Sequence, residues 1–170
     1  MLREKLGTAA DVAALVVAVL VAAVLLKAHF VEPAGPDLLK PGNSLGQVDR
    51  LDLRAHKKSL LLVLRSGCGY CEGSTPFYRE LAELSRSSHE AVRVVALFED
   101  KAEVARQFLQ ENGVTVDVIA GFPIRNLKIG ATPTLILVDD AGQVLKVWEG
   151  LLSRKAEDDV KAAITAQSTT

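Results

Sequence analysis

The sequence predicts an α/β fold: a central mixed sheet, mostly parallel with an antiparallel end, helices on both faces, and an apolar helix ahead of the domain. Three observations carry this. From Leu60 onward, short apolar runs alternate with stretches of helical apolar spacing. Two late strand-like runs are joined by a turn, and a capped helical stretch follows them. Near the start, Val12 to Leu26 is an unbroken run of Val, Ala and Leu with no polar face.

In chain order, Leu60 to Leu64 is a continuous apolar run of the kind found in a buried strand. Ser66 and Gly67 break it, and two cysteines follow. Pro76 to Ser85 has helical spacing through Phe77, Leu81 and Leu84, and Val92 to Phe98 is a second buried strand. Lys101 to Asn112 is an amphipathic helix with Val104, Phe108 and Leu109 on one face, closed by Asn112-Gly113 as a C-cap. Val114 to Ile119 is a short strand. Thr134 to Val138 and Gln143 to Trp148 form a hairpin through the turn Asp139 to Gly142. Ser153 caps a last helix that runs through Ala166.

The apolar run is a little short of the roughly 20 residues that span a bilayer. From Gly7 to Val31 the length suffices, provided that Asp11, Lys27 and His29 lie near the interfaces. A cleaved signal peptide with Arg3 and Lys5 as its charged region competes with an uncleaved anchor. The anchor is preferred because no small-x-small cleavage site stands out, and Lys27-Ala28 follows two leucines. Residues 1–31 are thus read as a membrane anchor, 32–47 as a linker rich in Pro and Gly, and 48–170 as the folded domain. The basic residues at the very start favour the N-terminus inside and the domain outside, which places the protein in a bacterial inner membrane with its domain in the periplasm.

The formal net charge is -1, with Lys and Arg interspersed among Asp and Glu, so no basic stripe argues for nucleic acid. The chain has only two cysteines, Cys68 and Cys71. A bridge closing so short a loop adds little stability, so chemistry explains the pair better than stapling does. Zinc needs about four ligands. There is no second CxxC, and His29, His56 and His89 lack ligand-like spacing to the first. No metal is therefore expected.

Cys68-Gly69-Tyr70-Cys71 lies where a strand gives way to a helix. A thiolate is the reactive form, and unpaired N–H groups at a helix start favour it. Cys68 is therefore expected to have a lowered pKa and to attack or leave, while Cys71, one turn on, resolves the mixed disulfide.

This motif resembles the active site of the thioredoxin superfamily, and further residues agree with it. Pro76 stands five residues after Cys71, where family members often carry a helix-kinking proline. Ala131-Thr132-Pro133-Thr134 is similar to the family's cis-proline loop. The hairpin from Leu135 and the Trp148-Glu149-Gly150 step match the family's end. The resemblance covers about Leu60 to Ala166. The extra helix and strand between Lys101 and Ile119, with the apolar N-terminus, are most similar to the TlpA/ResA-like branch of membrane-anchored members. It implies a thiol-disulfide oxidoreductase whose Thr132 backbone and Tyr70 contact an extended substrate segment. A trans Pro133 at a strand start is the plainer alternative.

The resemblance also implies protein disulfides as substrates, apocytochrome c among them, and a membrane dithiol as electron donor; no NADPH or flavin motif is present. Reduction is the preferred direction, with an oxidase or isomerase using the same site, or a non-catalytic binding module, as alternatives. The Gly69-Tyr70 pair is similar to that of DsbC-type isomerases, and a peroxiredoxin is disfavoured because Arg65 occupies the Thr position of its Thr-x-x-Cys signature. Three positions depart from the family: Gly67 stands for the usual Trp, and Leu62 and Ser74 stand where different branches carry an acid. Glu72 is either a substitute proton acceptor or a first-turn acid, and Arg65 either a partner of the Cys68 thiolate or a surface charge.

Overall fold

The computed structural model describes residues 14–22, 38–45, 51–87 and 92–166. It divides into two compact units, Met1–Asp37 and Leu38–Thr170. In the first, residues 14–22 are helical and exposed. No described helix is long and apolar enough to cross a membrane. The remainder of the span expected over residues 7–31 lies outside the described residues.

The second unit holds a five-stranded sheet in the order β3-β2-β1-β4-β5. The strands are β1 (Lys58–Leu64), β2 (Val92–Phe98), β3 (Asp117–Ile119), β4 (Thr134–Asp139) and β5 (Val144–Glu149). The helices are α1 (Gly69–Gly73), α2 (Thr75–Ser87), α3 (Ala102–Glu111) and α4 (Arg154–Thr165). β1 lies at the centre and is buried along its whole length, as expected of its unbroken apolar run. It pairs parallel with β2 and antiparallel with β4. The sheet is therefore evenly mixed rather than mostly parallel, with β2–β3 also parallel and β4–β5 antiparallel. The reason is that β4 enters beside β1, on the side away from β2, and runs against it.

The alternation of side chains along the strands divides the core into two clusters. Leu60, Leu62 and Leu64 join Phe77, Tyr78 and Leu81 of α2, Ala105, Phe108 and Leu109 of α3, and Val160 and Ile164 of α4. Leu61 and Val63 join Leu53, Ile124 and Leu127 on the other face. This corrects the expectation of helices on both faces. The long helices α2, α3 and α4 all bury residues in the first cluster. The second is covered by two short 3-10 turns, Leu53–Ala55 and Ile124–Leu127. The segment around the later turn is punctuated by Gly121, Pro123 and Gly130, which leaves no room for a longer helix. In α3 the inward residue is Ala105; Val104, expected on that face, is 40% exposed, because one residue turns a helix by about 100°. Phe108 meets Phe98 edge to face at 5.5 Å, fixing α3 against β2.

The unit begins at Leu38, inside the stretch read as a linker. The Leu39 N–H donates to the Lys128 carbonyl at 2.9 Å, the Val144 N–H to Asn43 at 2.8 Å, and Ser44 bridges Gln143. Turn-forming residues here serve a strap along the hairpin. At the hairpin turn, Asp139 accepts from the N–H groups of Ala141 and Gln143, an arrangement its short side chain favours.

Lys58 is 8% exposed and donates to the carbonyls of Ala163 (3.1 Å) and Ala166 (2.7 Å), tying the start of β1 to the end of α4. A charged donor on helix-end carbonyls contributes more than a neutral one. Lys58→Met keeps the stem and removes the ammonium. Urea titration is expected to show a loss of about 1.5–3 kcal/mol, and amide exchange should report earlier opening of α4.

Candidate functional site

Both predicted halves of the site meet at the C-terminal end of β1. The loop from Arg65 leads out of β1 to Cys68, and Thr132-Pro133 leads into β4, whose first residue Thr134 pairs with Val63. Antiparallel pairing of β1 and β4 thus brings residues 64 positions apart into contact. The Cys68 Sγ lies 3.5 Å from the Thr132 carbonyl oxygen, and the Thr132 hydroxyl faces it at 3.7 Å. The Thr132–Pro133 peptide is cis. The Pro133 carbonyl accepts from the Gly150 N–H at 2.7 Å, so the end of β5 closes over the loop; Gly150 has φ +77°, a conformation that favours glycine.

Cys68 is bonded to Cys71, with the Cα atoms 5.1 Å apart. Cys68 is the N-cap of α1, and its sulfur accepts from the Cys71 N–H at 3.2 Å. The sulfur thus stands where a helix start presents unpaired N–H groups, the arrangement that favours a thiolate. Cys68 is partly exposed, whereas Cys71 has 0% exposure and belongs to the core cluster with α2. Gly69 is exposed, and Tyr70 projects with 64% exposure. Gly67, just before the pair, has φ +68°, where a side chain costs roughly 1–2 kcal/mol. That backbone accounts for glycine standing where the family usually has Trp.

Pro76 is exposed near the start of α2. It has no N–H to give the Glu72 carbonyl, four residues back, and that carbonyl accepts the Thr75 hydroxyl at 2.8 Å instead. The helical path divides at Ser74 into α1 and α2. The two sites where the family carries an acid are both buried here. Leu62 has 0% exposure, and Ser74 donates its hydroxyl to the Tyr70 carbonyl at 2.8 Å. Glu72 is exposed; its N–H donates to the Cys68 carbonyl at 3.0 Å, but among the described residues its carboxylate makes no hydrogen bond to either cysteine. No Asp or Glu is buried among the described residues. Tyr78, one turn beyond Ser74, is fully buried with no hydrogen-bond partner for its hydroxyl. Burial pushes its phenol up to about 12, with the nearby Ser74 hydroxyl pulling the other way.

A clasp between the β1 and β2 ends was not foreseen. In the parallel register Leu64 pairs with Phe98, so the next residues of each strand also come abreast. Arg65 faces Glu99 at 3.7 Å, and the Ser66 N–H donates to the Asp100 carboxylate at 3.0 Å, with the Ser66 hydroxyl donating to its other oxygen. Arg65 is thus engaged with Glu99 rather than with Cys68. Extending the predicted strands by two residues is the signal that finds these pairs. Burial works against the Asp100 carboxylate, but the two Ser66 hydrogen bonds and the Arg65 charge outweigh it and hold its pKa below the ordinary value. A lowered carboxyl pKa stabilises the fold above the unfolded value, near 3.9, and that contribution disappears as pH falls through the folded value. Stability measured by denaturant titration from about pH 6 to pH 2 is expected to fall on acidification in the wild type. Asp100→Asn should be less stable at neutral pH and show a shallower acid loss.

A family model described as Redoxin matches residues 32–164. No curated protein matches the chain. Among solved structures, the thioredoxin domain of a thiol-disulfide oxidoreductase from Bacteroides vulgatus superposes with a TM-score of 0.60 at 15% identity, covering 75% of this chain and 99% of that one. A thiol-disulfide isomerase from Corynebacterium glutamicum gives 0.58 at 18% identity, covering 79% and 98%. StoA from Bacillus subtilis gives 0.53 at 19%, covering 79% and 100%. These likenesses establish the fold, and the family match covers most of the domain with its CxxC pair and its Thr-Pro loop. The chain belongs to the Redoxin family of the thioredoxin superfamily.

Proposed function

We propose that the protein carries out thiol-disulfide exchange on proteins outside the cytoplasm and works as a reductant, tethered to the membrane by its apolar N-terminus. The asymmetry of the cysteine pair carries this reading: a partly exposed, N-capping Cys68 against the Thr132 carbonyl, and a fully buried Cys71. In the reduced protein the Cys68 thiolate attacks a substrate disulfide. One substrate sulfur bonds to Cys68 and the other leaves as a thiolate that takes up a proton. Cys71 then loses its proton and attacks the Cys68 sulfur. The Cys68–Cys71 bond forms, and the substrate departs with both cysteines reduced.

Two electrons thus pass to the substrate, and a membrane dithiol resupplies them. Thr132 and Tyr70 contact the extended substrate segment, and apocytochrome c cysteines are one substrate class. The reaction uses no resident cofactor in this reading.

Cys71→Ser is expected to accumulate mixed disulfides on Cys68 under oxidising conditions, identified by mass spectrometry, while Cys68→Ser accumulates none and loses insulin-reducing activity. Absence of any trapped protein sinks the protein-disulfide reading. Equilibration with glutathione sets the direction: a potential near that of thioredoxin, about −270 mV, supports reduction, and one near DsbA, about −120 mV, assigns the site to an oxidase.

A further inference from the structure

We propose that the groove beside Thr132 selects substrate cysteines flanked by an acidic side chain, with Arg125 and Arg65 as the recognising groups; this rests on the exchange reaction proposed above. The groove encloses about 370 Å³ and is lined by Arg65, Glu99, Ile124, Arg125, Gly130 and Thr132, among others. It adjoins the reacting atoms through Thr132, which lines it and holds its carbonyl 3.5 Å from the Cys68 sulfur. Ile124 is buried and anchors the 3-10 turn Ile124–Leu127, which presents the exposed Arg125 at the rim.

The charges around the groove are unevenly engaged. The Glu149 carboxylate accepts from the Gly130 N–H at 2.9 Å. Glu99 meets Arg65 only loosely, at 3.7 Å, with both side chains about half exposed. Arg125 makes no ion pair or side-chain hydrogen bond among the described residues. One guanidinium is therefore uncommitted and a second is weakly held. A guanidinium fork matches a carboxylate in two parallel hydrogen bonds. An extended segment advances about 3.3 Å per residue, so a side chain two residues from the bonded cysteine lies roughly 7 Å away, within reach of the groove.

Two exposed apolar groups lie on the other side of the pair, where Glu72 is also exposed. Tyr70 is 64% and Leu151 57% exposed, Leu151 follows the Gly150 that bonds Pro133, and neither lines the groove. The two flanks of a segment lying across Thr132 thus meet different chemistry, acid-binding in the groove and apolar at Tyr70 and Leu151.

The test uses the full reduced chain and peptide disulfides that are identical except for Glu, Gln or Lys two residues before or after the cysteine. The second-order rate constant is expected to fall in the order Glu, Gln, Lys for one of the two placements, with Glu over Lys on the order of fivefold at low salt and less at high salt. Arg125→Glu should invert that order, and Arg65→Gln should flatten it. Equal rates for the three wild-type peptides in both placements, or an Arg125→Glu change that slows all three alike, overturns the proposal. The Gln peptide tests the exchange itself. If it reacts with wild type and not with Cys68→Ser while charge has no effect, selectivity alone fails. If no peptide reacts, both readings fail.

Discussion

The site depends on the double pairing of β1. This strand is buried end to end and hydrogen-bonded on both sides, to β2 in parallel and to β4 in antiparallel register. Every backbone donor and acceptor in so dry a strand needs a partner, so neighbours on both edges are a physical requirement. The two directions have separate consequences at its C-terminal end. Parallel β2 brings Glu99 and Asp100 beside Arg65 and Ser66. Antiparallel β4 brings Thr132 and Pro133, from its beginning, beside Cys68. One strand end thus gathers the cysteine pair, the Thr-Pro loop and the clasp that holds the intervening turn.

The cysteine chemistry follows from how that turn is built. Gly67 permits a left-handed backbone that swings the chain from strand to helix, and Cys68 arrives as the helix cap. Its sulfur accepts from the Cys71 N–H and is partly open to solvent, whereas Cys71 is carried one turn further into the core. The same short sequence therefore gives one thiol access and the other shelter. The family's acidic position near the second cysteine is occupied by Ser74, whose hydroxyl is turned back to the Tyr70 carbonyl. The polar groups sheltered with Cys71 are hydroxyls rather than carboxylates among the described residues.

Element type was legible wherever one local rule dominated. The apolar runs at Leu60–Leu64 and Val92–Phe98, the Asp139–Gly142 turn and the Ser153 cap all appear where the pattern placed them, within a residue or two. The misreadings have a common cause, since each concerned what lies against an element. Val104 fits the helical period but points outward, and the stretch containing Pro41 and Gly42 reads as linker although its backbone is bonded to the hairpin. Helix placement failed likewise. Periodicity tells that α3 has an apolar face, but not that this face shares a cluster with α2 and α4.

From the sequence alone came the CxxC pair at a strand-to-helix junction, the Thr132-Pro133 loop before a strand, and the placing of Cys68 ahead of the first helical turn with Cys71 one turn on, because spacing and local capping are properties of neighbouring residues. Tertiary structure alone decided what surrounds them. The contact of Cys68 with Thr132, the Ser66–Asp100 clasp, the groove between Arg65 and Arg125 and the isolation of the Tyr78 hydroxyl each join residues through strand register or core packing. Register is set by the burial of whole strand faces at once, a condition that no single stretch of sequence contains.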